Sequence, residues 1–296
     1  MVLFAIDLIG NMKTVKQWLT VSQEKKSDSY RHRLFVENSS ERAQIFPRLQ
    51  EAVQKAHSDT VEDLRSILDD GLDPLGLGKD DPAHGYPELL HITTLQGYFG
   101  EFLAGVLAQE FKPFDIEWHV PAYLFRFHKA AFDQIARINQ TGKIATKIPG
   151  RLGDDCLAFS RNDDGDVVQY LCCEAKCLKK HNSGTAAKAH EQLSGAELKP
   201  IDLRSLIKII QTRDDDFSKS WCGSLKKLLL SQQLPSSYER IDFLTYISGE
   251  PPKKNSTWLS TETHAVEYTG GRKLEAAEIH LVDVVDFVAE IYKKRK

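Results

Sequence analysis

The chain has 296 residues, 41% of them hydrophobic and 27% charged, with a formal net charge of −3. That composition buries a sizeable core and excludes a disordered or fibrous chain. Five cysteines, an odd number without disulfide-like spacing, point to a reducing, cytoplasmic setting; the apolar start from Val2 to Gly10 is too short to span a membrane and lacks a basic leader, so no export is expected.

Residues 1 to about 90 read as a mainly helical N-terminal region, with helical patterns from Ser40 to His57 and from Thr60 to Leu68, the second stopped by Asp69-Asp70-Gly71. The stretch from Asp73 to Pro87, rich in Pro, Gly and Asp, reads as a linker or long loop. A second domain is expected over residues 91–296. It begins with a helix from Thr93 to Phe111 and another over 123–140, where Tyr123, Phe127, Ala130, Ala131, Ile135 and Ile138 fall near helical spacing. Leu157 to Phe159 and Val167 to Leu171 are strand-like, and Asn162-Asp163-Asp164-Gly165-Asp166 between them closes a hairpin. Arg204 to Gln211 and Trp221 to Ser231 are helical, and Ile241 to Ile247 is a strand. Gly249 to Lys254 is an exposed turn, and Ile279 to Val282 is a strand followed by a helix from Val284 to Tyr292. This alternation predicts an α/β fold, a central mixed β-sheet flanked by helices.

The hairpin carries the chemistry. If Asn162 faces Val167, antiparallel pairing keeps the sum of paired residue numbers constant and Asp155 falls opposite Glu174, the two β-carbons about 5 Å apart. Side chains alternate along a strand, so Glu174 and Lys176 share a face while Cys173, Ala175 and Cys177 point into a core. Burying charge in the apolar run from Tyr170 to Leu178 is costly unless the charge is paired or ligated. Two carboxylates with open coordination positions suit Mg²⁺ or Mn²⁺, and an adjacent ammonium can orient a metal-bound water or stabilise developing negative charge. Asp155 and Glu174 are thus the expected metal ligands and Lys176 their partner.

Gly153-Asp154-Asp155, then Glu174-Ala175-Lys176 after a hairpin, resembles the PD-(D/E)XK nuclease superfamily, with Asp154 where the family's proline stands. The resemblance covers roughly residues 91 to 195 and implies a restriction-endonuclease-like core and cleavage of DNA phosphodiesters. It also implies a further acid from the preceding helix, which Glu101 in Gly100-Glu101-Phe102-Leu103-Ala104 matches as a third metal ligand. A glutamine on the following helix is matched by Gln192 in Lys188-Ala189-His190-Glu191-Gln192-Leu193. His190, two residues away, does not share its face. In order of elements the chain is similar to the nuclease subunit of the Hachiman bacterial antiphage system, which implies a helicase partner and a role in antiviral defence.

The net negative charge is distributed unevenly. No acidic residue occurs from Ala175 through His190, where Lys176, Lys179, Lys180, His181 and Lys188 accumulate, and Lys143, Lys147 and Arg151 precede the hairpin. Lys147, Arg151, Lys179, Lys180 and Lys188 are the expected phosphate-steering residues. The turn at Asn162 to Asp166 does not fit a calcium loop, Cys173, Cys177 and His181 lack a zinc-site pattern, and no Walker-type glycine loop appears, so an ATP motor is not expected within this chain. The alternative to a nuclease is a noncatalytic nucleic-acid or protein-binding module in which the charged trio is a structural pair.

Overall fold

The structure, a computed structural model, describes residues 13–69, 81, 83–125, 154–254 and 256–293. It is an α/β protein built on a mixed six-stranded sheet. The first described elements are helix α1 (Lys13–Trp18) and a hairpin of β1 (Leu19–Lys26) and β2 (Tyr30–Glu37). Helices α2 (Arg42–Ala56), α3 (Ser58–Asp69) and α4 (Ile92–Phe111) follow, then the hairpin of β3 (Cys156–Arg161) and β4 (Val167–Leu178). Three helices come next, α5 (Ser183–Leu193), α6 (Leu203–Gln211) and α7 (Asp216–Leu230), and the described fold ends with β5 (Glu239–Ser248), β6 (Leu274–His280) and α8 (Val284–Ile291).

The strands lie in the order β1-β2-β6-β5-β4-β3. The two hairpins at the edges are antiparallel, and β2, β6, β5 and β4 run parallel. Alternation along the strands feeds two cores. Leu171, Cys173, Ile241, Phe243 and Ile279 pack on one face with α2, α4 and α8; Tyr170, Cys172, Leu244, Tyr246 and Ala276 pack on the other with α5, α6 and α7. Helix α4 is buried on nearly every side from Leu95 to Ala108, as a helix apolar all round must be. Tyr123 lies so close to it that a β-carbon at Gly105 would stand 2.6 Å from the phenol oxygen.

Residues 19–37 depart from the helical expectation for the first region. They form the β1–β2 hairpin, and β2 pairs with β6 in register from Tyr30 opposite Leu274 to Val36 opposite His280. The run Arg31-His32-Arg33 concealed the strand, because three polar residues in a row hide any apolar alternation. They are buried because β6 supplies their partners: Arg33 pairs with Glu275, and the His32 imidazole lies 3.4 Å from Glu278. The two expected regions therefore share one sheet, and one apolar cluster runs from Val15 to Tyr292. The expected helix over 123–140 lies mostly outside the described residues, and Tyr123 to Phe125 are not helical. Helix α7 starts five residues before Trp221, capped by the Asp215 carboxylate on the Ser218 amide at 2.9 Å.

Candidate functional site

The β3–β4 ladder determines where the carboxylates lie. Cys156 pairs with Cys173, and the pairs out to Ser160 and Gln169 keep the same sum; the ladder ends at Cys156, and the Asp155 amide just before it donates to the Cys173 carbonyl at 2.9 Å, next to Glu174. The turn differs from expectation: Arg161, not Asn162, faces Val167, and an extra residue on β4 forms a bulge there. Asn162 instead closes the turn, its side chain accepting from the Asp166 amide at 2.8 Å and its carbonyl from the Gly165 amide at 3.0 Å. The bulge restores the register before the site is reached.

Along β4, Tyr170, Cys172, Glu174 and Lys176 face α5, while Ala175 and Cys177 pack beneath α4, where a β-carbon on Gly100 would lie 3.4 Å from that of Ala175. Glu174 is 3% exposed and ion-paired to Lys176. Asp155, 6% exposed, accepts the Ala175 amide at 2.8 Å. Asp155, immediately before β3, thus lies beside the part of β4 that carries Glu174 and Lys176.

Behind Glu174 lies a cavity of about 280 Å³ between β4, α5 and the loop after α5. Gln192 lines it together with Glu174. His190 does not line it: its ring is buried in α5 with Nδ1 2.9 Å from the Ala186 carbonyl, and burial lowers its pKa. Asp154 also lines the cavity, its carboxylate accepting from the Tyr170 hydroxyl and lying 3.0 Å from Cys172 Sγ. Burial, then the neighbouring Cys172 and Asp154 charges, push the Tyr170 phenol well above its ordinary value, so it is a donor to Asp154.

Glu101 does not join this group on the Glu174 face. It stands on α4, over the Ala175 and Cys177 face, and its charge acts on the Tyr98 and Tyr292 hydroxyls. Among the described residues no three His, Cys, Asp or Glu side chains are gathered closely enough to hold a metal ion. The three-acid set of Asp155, Glu174 and Glu101 is therefore not assembled. A pair of carboxylates still fits a hard cation that keeps its waters, because Mg²⁺ is commonly held by one or two carboxylates and completed by substrate phosphate. Lys179, Lys180 and Lys188 are exposed, Lys180 lying 3.3 Å from Glu250; Lys147 and Arg151 fall outside the described residues.

Compared with protein-family models and with curated proteins, the chain matches none.

Two buried polar clusters on the Glu174 face escaped sequence reading. Arg240 lines the cavity, donates to Asp242 at 2.8 Å and to Cys172 Sγ at 3.3 Å, and binds the carbonyls of Leu193, Gly195 and Glu197. Asp242 accepts in addition from Tyr268 at 2.6 Å and Arg272 at 3.1 Å. Arg240 thereby ties the end of α5 and the loop after it to β5, fixing the wall that carries Gln192. Glu278, on β6, accepts the amides of Trp258 at 2.7 Å and Leu259 at 2.9 Å, with His280 Nε2 at 2.7 Å. Burial pushes the Glu278 carboxyl up, but the hydrogen bonds from His280, His32 and the two amides outweigh it and hold it at about 2. The signal was present in both cases: Arg240-Ile241-Asp242 and Glu278-Ile279-His280 each place two charged or titratable groups on one face of an apolar strand.

Proposed function

We propose that the chain is a metal-dependent nuclease that hydrolyses DNA phosphodiester bonds, using Mg²⁺ or Mn²⁺. The observation that supports this reading is the β3–β4 hairpin, which brings Asp155, bonded through its amide to the Cys173 carbonyl, beside the segment of β4 that carries Glu174 and its ion-pair partner Lys176. Asp155 and Glu174 would hold the ion, which lowers the pKa of its water and polarises the phosphate when bound. Lys176 holds Glu174 in place and, once phosphate enters, turns its ammonium to the developing negative charge. The amide of Ala175 orients Asp155. Burial of Asp155 and Glu174 keeps bulk water from weakening these charge interactions. The similarity to the Hachiman nuclease subunit extends the proposal to a helicase partner and antiphage defence, which co-purification from the native host tests.

One observation favours the noncatalytic reading: Glu174 is already neutralised by Lys176, and an Asp155 oxygen is taken by the Ala175 amide. Cleavage of supercoiled plasmid and single-stranded DNA with Mg²⁺, Mn²⁺ or EDTA separates the two. A nuclease cuts only with metal, and Glu174→Ala and Lys176→Ala each lose about a hundredfold or more of the rate. A binding module shows divalent-metal affinity unchanged in Glu174→Ala and only a lower melting temperature.

A further inference from the structure

The Lys176 row of the sheet continues beyond the proposed site. Tyr246 on β5 pairs with Lys176 on β4, and Glu278 on β6 pairs with Tyr246, so the three side chains line one face. Tyr246, itself buried, links the row to the half-buried His181 ring. Its oxygen accepts the Asn182 amide at 3.1 Å and lies 2.9 Å from His181 Nδ1 and 3.5 Å from the Asn182 carbonyl.

His181 is stacked on Trp258 with ring centroids 4.2 Å apart and planes within 2° of parallel. Trp258 is held by two anchors, its backbone amide on Glu278 and its indole N–H on the Glu250 carbonyl at 2.9 Å. The latter bond folds the 250–258 loop back on itself, so that Lys253 and Lys254 are exposed at its tip, while Lys180 reaches the same loop through Glu250. Lys179 is exposed beside Lys180. Trp18, Trp118 and Trp221 are at most 1% exposed, so of the four tryptophans only Trp258 can meet a ligand. An aromatic stack beside a loop and a strand end that carry exposed lysines suits unstacked bases joined by phosphates, because bases lie on π faces and backbone charge follows the cations.

We propose that this rim binds single-stranded nucleic acid, with a base laid against the Trp258–His181 stack and phosphates held by Lys179, Lys180, Lys253 and Lys254. The proposal rests on the phosphodiesterase reading of the adjoining Glu174 and Lys176, and it names single strands as the substrate class. A duplex presents no free base to the stack and binds through its phosphates alone.

The test uses the full chain in EDTA, so that no cleavage occurs, with a labelled oligothymidylate of about 20 nucleotides and a duplex of the same length. Expected are anisotropy showing tighter binding of the single strand, quenching of tryptophan emission on binding, and loss of that quenching in Trp258→Phe, which keeps a ring for stacking. Trp258→Ala weakens binding about tenfold. The Lys253→Ala/Lys254→Ala pair lowers the slope of log affinity against log salt by about 1.4. Melting curves check that each variant is folded. Unchanged affinity in folded Trp258→Ala overturns the proposal, as do binding without quenching, equal affinity for the duplex, or no binding at all. A protein that binds the oligothymidylate but cuts nothing with Mg²⁺ retains this surface and loses the proposed reaction; one that cuts without quenching retains the reaction and loses this surface.

Discussion

Asp154 and Asp155 are adjacent, yet the fold gives them different work. Asp154 turns its carboxylate to Tyr170 and Cys172, while Asp155 turns to the Ala175 amide. If the proposed nuclease is correct, Asp155→Asn loses about a hundredfold or more of the cleavage rate, whereas Asp154→Asn stays within a few-fold and lowers stability by about 1–3 kcal/mol. Plasmid cleavage and urea denaturation on the same two proteins read both numbers. Equal loss of activity in the pair would make Asp154 part of the chemistry. Arg240 is a second residue of this kind. Its truncation leaves Asp242 short of a partner in a site with no solvent access and frees the Glu197 carbonyl, while Arg272 still binds those of Leu193 and Gly195. Arg240→Ala is expected to cost about 3–5 kcal/mol by chemical denaturation.

At the scale of elements, what could be foreseen depended on how far apart in sequence the partners lie. The β3–β4 pairing was legible because a hairpin sets its own register, and a bulge at Arg161 shifted the turn without disturbing it. That Gln192 and Glu174 line one cavity was legible because one helix directly follows β4 and lies back on it. The surroundings of Glu101 were not legible, because the face of β4 that α4 covers depends on packing across the sheet, which no local pattern records. Strand β2 was missed because its charges are balanced by β6, more than 240 residues away. The end of β5 shows how tightly such elements meet. A β-carbon at Gly249 would lie 2.6 Å from the Lys179 carbonyl and 3.2 Å from Val284. Gly249→Ala therefore forces backbone apart at the junction of β5 with the strand carrying Lys176, and a loss of about 1–3 kcal/mol is expected in thermal melts. A variant as stable as the wild type would show that this junction is loose.

At the scale of the whole molecule, polar groups buried inside the sheet make stability depend on pH. Glu278 sits at about 2 in the folded protein against an ordinary value near 4.5. A depressed folded-state value means that the contribution is fully present above about 4.5 and is lost as pH falls through about 2, and a shift of this size corresponds to about 3 kcal/mol. Melting temperatures between pH 5 and 2 should fall more steeply in the wild type than in Glu278→Gln, and parallel curves would remove Glu278 from the account. The loop holding Trp258 and Leu259 should loosen in the same window, since both amides end on that carboxylate.

The strand order has a consequence for synthesis. Strand β6 lies between β2 and β5, so the first of the described hairpins to be made reaches the rest of the sheet only through the last of the described strands. Until then β1 and β2 wait without their neighbour, Glu275 and Glu278 are missing from Arg33 and His32, and β5 has one open edge. Completion is a long-range, late event, the type of closure that proceeds slowly and leaves unpaired edges exposed meanwhile. A nascent chain stopped before Leu274 would carry Asp155, Glu174 and Lys176 on a hairpin backed by an unfinished sheet.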